Sequence, residues 1–139
     1  MYEEKINAYF DAPERRAELV EAISRLVRIR SVREEPLPGM PFGPGPAAAL
    51  AEGLKLAEEL GFATRNYDNY VGTADLNDKE TALHILCHLD VVGEGTGWTV
   101  TEPYVPKEVD GMLYGRGTDD DKGPVAAVLL AMKAVKELG

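Results

Sequence analysis

Apolar residues recur at helical spacing early in the chain. Leu19, Ile23, Leu26 and Val27 form one stripe, and helix is predicted over most of the first thirty residues. Asp11-Ala12-Pro13 offers a start, since proline is tolerated in a first helical turn and Glu14 sits near the positive end of the dipole. The stretch from Glu34 to Pro46 then carries Pro36, Pro38, Gly39, Pro41, Gly43, Pro44, Gly45 and Pro46. That density of Pro and Gly predicts a loop. Leu37, Met40 and Phe42 make it too apolar for a free linker, so it is expected against a core or lining a site. A second helix is predicted from about Ala47 to Leu60, with Leu50, Leu54, Ala57 and Leu60 on one side and Gly61 as its stop.

Strand patterns follow. Phe62–Tyr67 and Tyr70–Leu76 flank Asp68-Asn69, which has turn chemistry. Thr81–Leu89, reading TALHILCHL, is the most apolar run and the expected buried strand. Met112–Tyr114 reads as a short strand. A last helix starts near Lys122 or Gly123 and turns Val125, Val128, Leu129, Met132 and Val135 inward. The order of elements is α/β, and the continuous apolar run suggests a sheet covered on both faces.

Composition narrows the classes. The 139 residues suit one domain, and 45% hydrophobic with 28% charged residues is globular usage. No apolar run reaches the roughly 18 residues of a spanning helix. The polar N-terminus lacks a signal-type apolar segment, so secretion is not expected. A net charge of -9 favours solubility, and no basic patch stands out for nucleic-acid phosphates. The single cysteine, Cys87, excludes an intrachain disulfide and fits a reducing, cytoplasmic setting. On an apolar run it reads as a packing residue.

Four places could carry chemistry. The glycine loop Gly93–Trp98 lacks the third glycine and following helix of a dinucleotide site, and no Gly-Lys-Ser/Thr closes it as a P-loop. Asp119-Asp120-Asp121-Lys122-Gly123 fails as an EF-hand for want of further ligands. Three adjacent aspartates repel one another, however, and call for a neutralising cation, protein or metal. His88 and Asp90 stand at i and i+2 at the end of the apolar strand, on one face. They suit a metal ligand with its orienting carboxylate, or equally a core histidine satisfied by a carboxylate. His84 lies roughly 13 Å up the same strand, too far to share an ion, and reads as packed or hydrogen-bonded. Together, His88 and the aspartate run are the parts of a metal site. Imidazole with carboxylate suits Zn²⁺, with Mn²⁺ or Co²⁺ as lesser options.

Several segments resemble a known family in order and spacing. They are Ser31-Val32-Arg33, Pro41-Phe42-Gly43, Gly61-Phe62, Asn66-Tyr67-Asp68, His88-Leu89-Asp90-Val91-Val92, Gly97-Trp98 and Gly115-Arg116-Gly117-Thr118-Asp119-Asp120-Asp121-Lys122-Gly123-Pro124. The family is the M20 metallopeptidases, and the resemblance leans to the PepV-like dipeptidases of Xaa-His dipeptidase or carnosinase type. It implies a zinc-peptidase-like (phosphorylase/hydrolase-like) α/β catalytic domain, a mixed sheet flanked by helices. It implies two zinc ions per full active site, with His88 a ligand of one and Asp120 bridging both. Asp90 would be the catalytic residue that orients His88, and the Asp120-Asp121 peptide bond would be cis. Arg116, Asp119 and Lys122 are not carried over as ligands.

Gly93 stands where the family commonly has proline. The family's Glu-Glu pair, further acidic ligand, final His and inserted lid domain would lie downstream of Gly139. The expectation is therefore that residues 1–139 are the N-terminal segment of an M20 catalytic domain, with weak or no zinc binding and no turnover alone. The implied substrates are dipeptides or short peptides with a free N-terminus, with neither nucleic acid nor membrane as partner. Alternatives are an M20 deacylase or desuccinylase of N-acyl amino acids, favoured less by Asn66-Tyr67-Asp68 and Asp-Asp-Lys-Gly-Pro, or a non-catalytic α/β binding module.

Overall fold

The computed structural model describes residues 1–139. Its elements are α1 (Tyr2–Phe10), α2 (Pro13–Val27), α3 (Pro44–Glu59), β1 (Ala63–Tyr67), β2 (Val71–Asp75), β3 (Lys107–Val109), β4 (Met112–Tyr114) and α4 (Lys122–Leu138). The class is mixed α/β, as the element order predicted. No helix is long and apolar enough to cross a membrane.

The core lies where α2, α3 and α4 meet. Ala22 and Leu26 of α2, Leu56 and Ala57 of α3, Phe62, and Ala126 and Leu129 of α4 form one buried cluster. Leu19 and Ile23 pack against its rim, so the stripe read on α2 faces inward. A leucine buried as fully as Leu26 contributes about 1.5–3 kcal/mol over an exposed one. On α3 the picture is richer than one stripe. Ala49, Gly53, Leu56 and Ala57 are its buried face, while Leu50 and Leu54 press on the first hairpin. A Cβ at Gly72 would come within 2.8 Å of both leucines. Helix α3 is thus apolar on two sides because it is covered on two sides. On α4 the buried set is Lys122, Gly123, Ala126, Leu129, Leu130 and Ala134, and Val125 and Met132 pack against the core, so of the predicted inward face only Val135 is exposed.

Strands β1 and β2 pair antiparallel, with Tyr67 opposite Val71. Asp68 and Asn69 between them both take positive φ, 53° and 59°, as the tight primed hairpin turn requires. Asn66 Oδ1 accepts the Asn69 amide at 2.8 Å, and Asn69 Nδ2 donates to Gly39 O at 2.8 Å. That second bond ties the Pro-Gly loop to the hairpin. Edge-on contact of Phe42 with Tyr70, centroids 5.5 Å apart, adds to it. The loop ends earlier than predicted: Pro44 and Pro46 sit in the first turn of α3, where a missing N–H costs nothing.

The expected strand Thr81–Leu89 is the main correction. Residues 81–90 carry no ladder, and Leu83, Ile85 and Leu86 are exposed, Leu86 at 94%. The physical reason is that an apolar run becomes a strand only when neighbours pair with its edges. Here the one pairing is an isolated parallel bridge, Val32 with Val91. In place of a sheet covered on both faces there are two antiparallel hairpins, β1–β2 and β3–β4.

Candidate metal centre

The centre is built from two segments that are far apart in sequence. One is His88-Leu89-Asp90, held from beneath. Ser31 Oγ donates to Leu89 O at 2.6 Å, and the Val91 amide donates to Ser31 O at 3.1 Å. The other is the turn from Gly115 into α4. Gly117, at φ 92°, lets its carbonyl accept both the Lys122 and Gly123 amides, at 3.0 and 3.3 Å. A Cβ at Gly123 would lie 2.0 Å from Thr118 O, so only glycine fits there. The Asp120-Asp121 peptide bond is cis.

His88 Nε2 stands 2.9 Å from Asp120 Oδ1. Its Nδ1 lies 3.1 Å from Asp90 O and 3.2 Å from Asp90 Oδ1. Asp121 Oδ2 accepts the His88 backbone amide at 3.0 Å. Asp121 occupies the N-cap position of α4 yet makes no capping bond to its own helix, because its carboxylate turns to His88. One ligand atom from each of His88, Asp120 and Asp121 falls within 4.8 Å of the others.

The imidazole therefore faces acceptors on both nitrogens. Such a ring is either an imidazolium, or an Nδ1–H imidazole whose Nε2 lone pair meets a cation that the carboxylate also binds. Burial alone would pull the His88 pKa down. The Asp90 carbonyl and the Asp90, Asp121 and Asp120 carboxylates outweigh it, and the net shift is upward. Burial and the Asp121 charge push the neighbouring Cys87 thiol up as well, which keeps it a thiol. This donor set, one imidazole with oriented carboxylates open to solvent, fits a divalent metal ion.

Of the residues singled out in the sequence, His88, Asp90 and Asp120 come together. His84 is exposed and takes no part. Asp121 was missed as a member of the cluster; its signal was the run of three aspartates itself. Lys122, the cation nearest in sequence, does not neutralise the run. It is fully buried and points away, donating to Ile29 O at 2.6 Å. Burial pushes its pKa down to about 8.

The glycine loop beside the centre is stapled, with no helix after it. Glu94 O accepts Trp98 Nε1 at 2.7 Å and Arg116 Nη2 at 3.0 Å. The Glu94 carboxylate, held down to about 2 by its own amide, Arg30 and Tyr104, receives both of those side chains. The guanidinium of Arg116 lies 5.3 Å from the Trp98 ring centroid. These bonds make the loop a brace rather than a phosphate cradle.

Comparison with known proteins gives the class. Residues 84–139, which hold both halves of the centre, match the model of peptidase family M20/M25/M40. Over those residues the chain is similar to the M20 peptidases. It is 38% identical over 126 residues to "Putative dipeptidase YtjP" of Bacillus subtilis, covering 89% of this chain and 27% of that protein. A protein of Staphylococcus epidermidis named "Putative dipeptidase" is 35% identical over 140 residues, covering 99% of this chain and 28% of the relative. The crystal structure of human carnosine dipeptidase 1 superposes with a TM-score of 0.67 at 27% identity, over 97% of this chain and 31% of that one. The chain thus spans a little over a quarter of the length of these curated relatives.

Proposed function

We propose that residues 1–139 are the N-terminal segment of an M20 catalytic domain whose whole enzyme hydrolyses dipeptides or short peptides with a free N-terminus. The observation that carries this reading is the 2.9 Å approach of His88 Nε2 to Asp120 Oδ1 inside the segment that matches the family. The relatives named as dipeptidases support the substrate class.

In this reading His88 and Asp120 would hold the divalent metal, the imidazole and the carboxylate supplying its ligand atoms. Zinc is the proposed metal, with manganese or cobalt as substitutes. When bound, such an ion supplies Lewis acidity to a peptide carbonyl and lowers the pKa of water. The chain's own residues do the rest. Asp90 would accept a hydrogen bond from Nδ1–H of His88, which fixes the ring orientation and leaves Nε2 as the ligand atom. Asp121 holds the His88 backbone amide and so locks the end of the 81–90 run to the start of α4. A cytoplasmic setting is part of the proposal, in keeping with the single thiol.

Two measurements test it. Zinc titration of the 139-residue chain is expected to show weak uptake that His88→Ala and Asp120→Ala abolish; two tightly held zinc ions surviving dialysis would overturn the expected weakness. The protein encoded by the whole reading frame is expected to cleave dipeptides faster than N-acyl amino acids. The reverse preference would favour a deacylase.

A further inference from the structure

A short stretch just after α2, Ile29–Ser31, touches both halves of the centre. Ser31 holds the carbonyl of Leu89 and the amide of Val91, the two residues that flank Asp90. Lys122, two residues past Asp120, reaches Ile29 O through its ammonium group. Both side chains are fully buried, in a molecule whose buried polar set is otherwise only Ser24. We infer that Ser31 and Lys122 are positioning residues which, through Ile29–Ser31, set the separation of His88 from Asp120 from behind. The inference rests on the metal-centre reading above.

Stability does not account for Lys122. An ammonium group carries three donors, and this one makes a single hydrogen bond, to a neutral carbonyl. Burying a charge so poorly compensated is unfavourable against an apolar side chain of similar volume. What the lysine provides is a fixed distance. Its path is closed on both sides: from His88 through Leu89 O to Ser31, along the backbone to Ile29 O, and through Lys122 back to Asp120. The anchor itself has no slack. A Cβ at Gly45, in the first turn of α3, would lie 2.2 Å from Arg30 O. A Cβ at Gly117 would lie 2.9 Å from Val91 Cγ1 and 3.0 Å from Lys122 Cδ. Helix α3 thus presses on the anchor from one side and the aspartate turn from the other.

Two variants of the 139-residue chain test this, Ser31→Ala and Lys122→Met. Lys122→Met keeps the volume and drops the buried charge, so its folding stability is expected to equal or exceed that of the parent. Metal-free crystal structures are expected to show His88 Nε2 and Asp120 Oδ1 displaced from each other by more than about 0.5 Å in each variant. Zinc titrations are expected to show an apparent Kd raised about tenfold, the usual scale for loss of an outer-shell partner. Leu56→Ala, which hollows the core without touching the tie, serves as the control and is expected to leave zinc affinity unchanged. An unaltered His88–Asp120 spacing in both variants would overturn the inference, as would an equal affinity loss in Leu56→Ala. Zinc uptake that persists in His88→Ala would instead sink the metal-centre reading, and the metal-free structures would still decide the tie.

Discussion

The helical layer and the segment from Asn77 to Pro106 both carry apolar runs, yet they come out differently. In the layer, α2, α3 and α4 each find partners, and Leu26, Val27, Ala49 and Ala126 reach zero exposure. In the segment, Leu83, Ile85, Leu86 and Val92 remain exposed. A helix satisfies its own backbone, so an apolar stripe needs only one neighbour to bury it. An extended run must borrow hydrogen bonds along both edges as well. Only at its end does this one do so, where Leu89 and Val91 bond to Ser31 and hold His88 in place.

The contrast can be broken or sharpened by measurement. The largest effect is expected from Leu26→Ala, about 3 kcal/mol of stability in urea melts, whereas Leu86→Ala should stay within about 0.5 kcal/mol. Equal losses would mean that residues 81–90 are packed in solution. Next comes Lys122. Its pKa is lowered to about 8, so the charged form is penalised in the folded chain and the unfolded chain binds the proton more tightly. The penalty is complete below pH 8 and fades as pH rises toward the unfolded value near 10.4. Stability should therefore climb across that window, by up to roughly 3 kcal/mol, and Lys122→Met should flatten the climb. Denaturant midpoints recorded across this pH range settle it.

Smaller still is Gly123→Ala, expected to cost about 1–3 kcal/mol because the new methyl meets Thr118 O. A thermal melt with no loss would show that the aspartate turn yields, which would put it with the irregular segment rather than the helical layer. The mildest change is Asp90→Asn. His88 titrates above its ordinary value, burial pulling it down and Asp90 among the groups that push it back up. The substitution should lower its midpoint in a proton NMR titration without altering the fold. A midpoint that does not move would remove Asp90 from its orienting role.

Much of this was legible beforehand, for identifiable reasons. Helices α2 and α4 announce themselves because a stripe with a clear start is a local property. The hairpin turn at Asp68-Asn69 was readable because few residues tolerate positive φ. His88, Asp90 and the aspartate run were visible as unusual chemistry at a strand end and a helix start. What could not be read is what depends on distant partners. Pairing along residues 81–89 is set by which edges are nearby, and periodicity does not report that. The double cover of α3 belongs to the same class. Asp121 was hidden by its neighbours, since three identical residues give no hint of which way each turns. The service rendered by Ser31 and Lys122 was hidden more deeply, because a serine after a helix and a lysine beside aspartates both have ordinary surface explanations.

The inward turn of Lys122 leaves the mouth of the centre with three carboxylates, Asp90, Asp120 and Asp121, around one imidazole. Such a mouth draws positive ions from beyond contact range, and the pull shortens as added electrolyte shrinks the Debye length from about 30 Å at 0.01 M to about 8 Å at 0.15 M. Capture of a dication should accordingly be fastest in dilute buffer and slow as electrolyte is added.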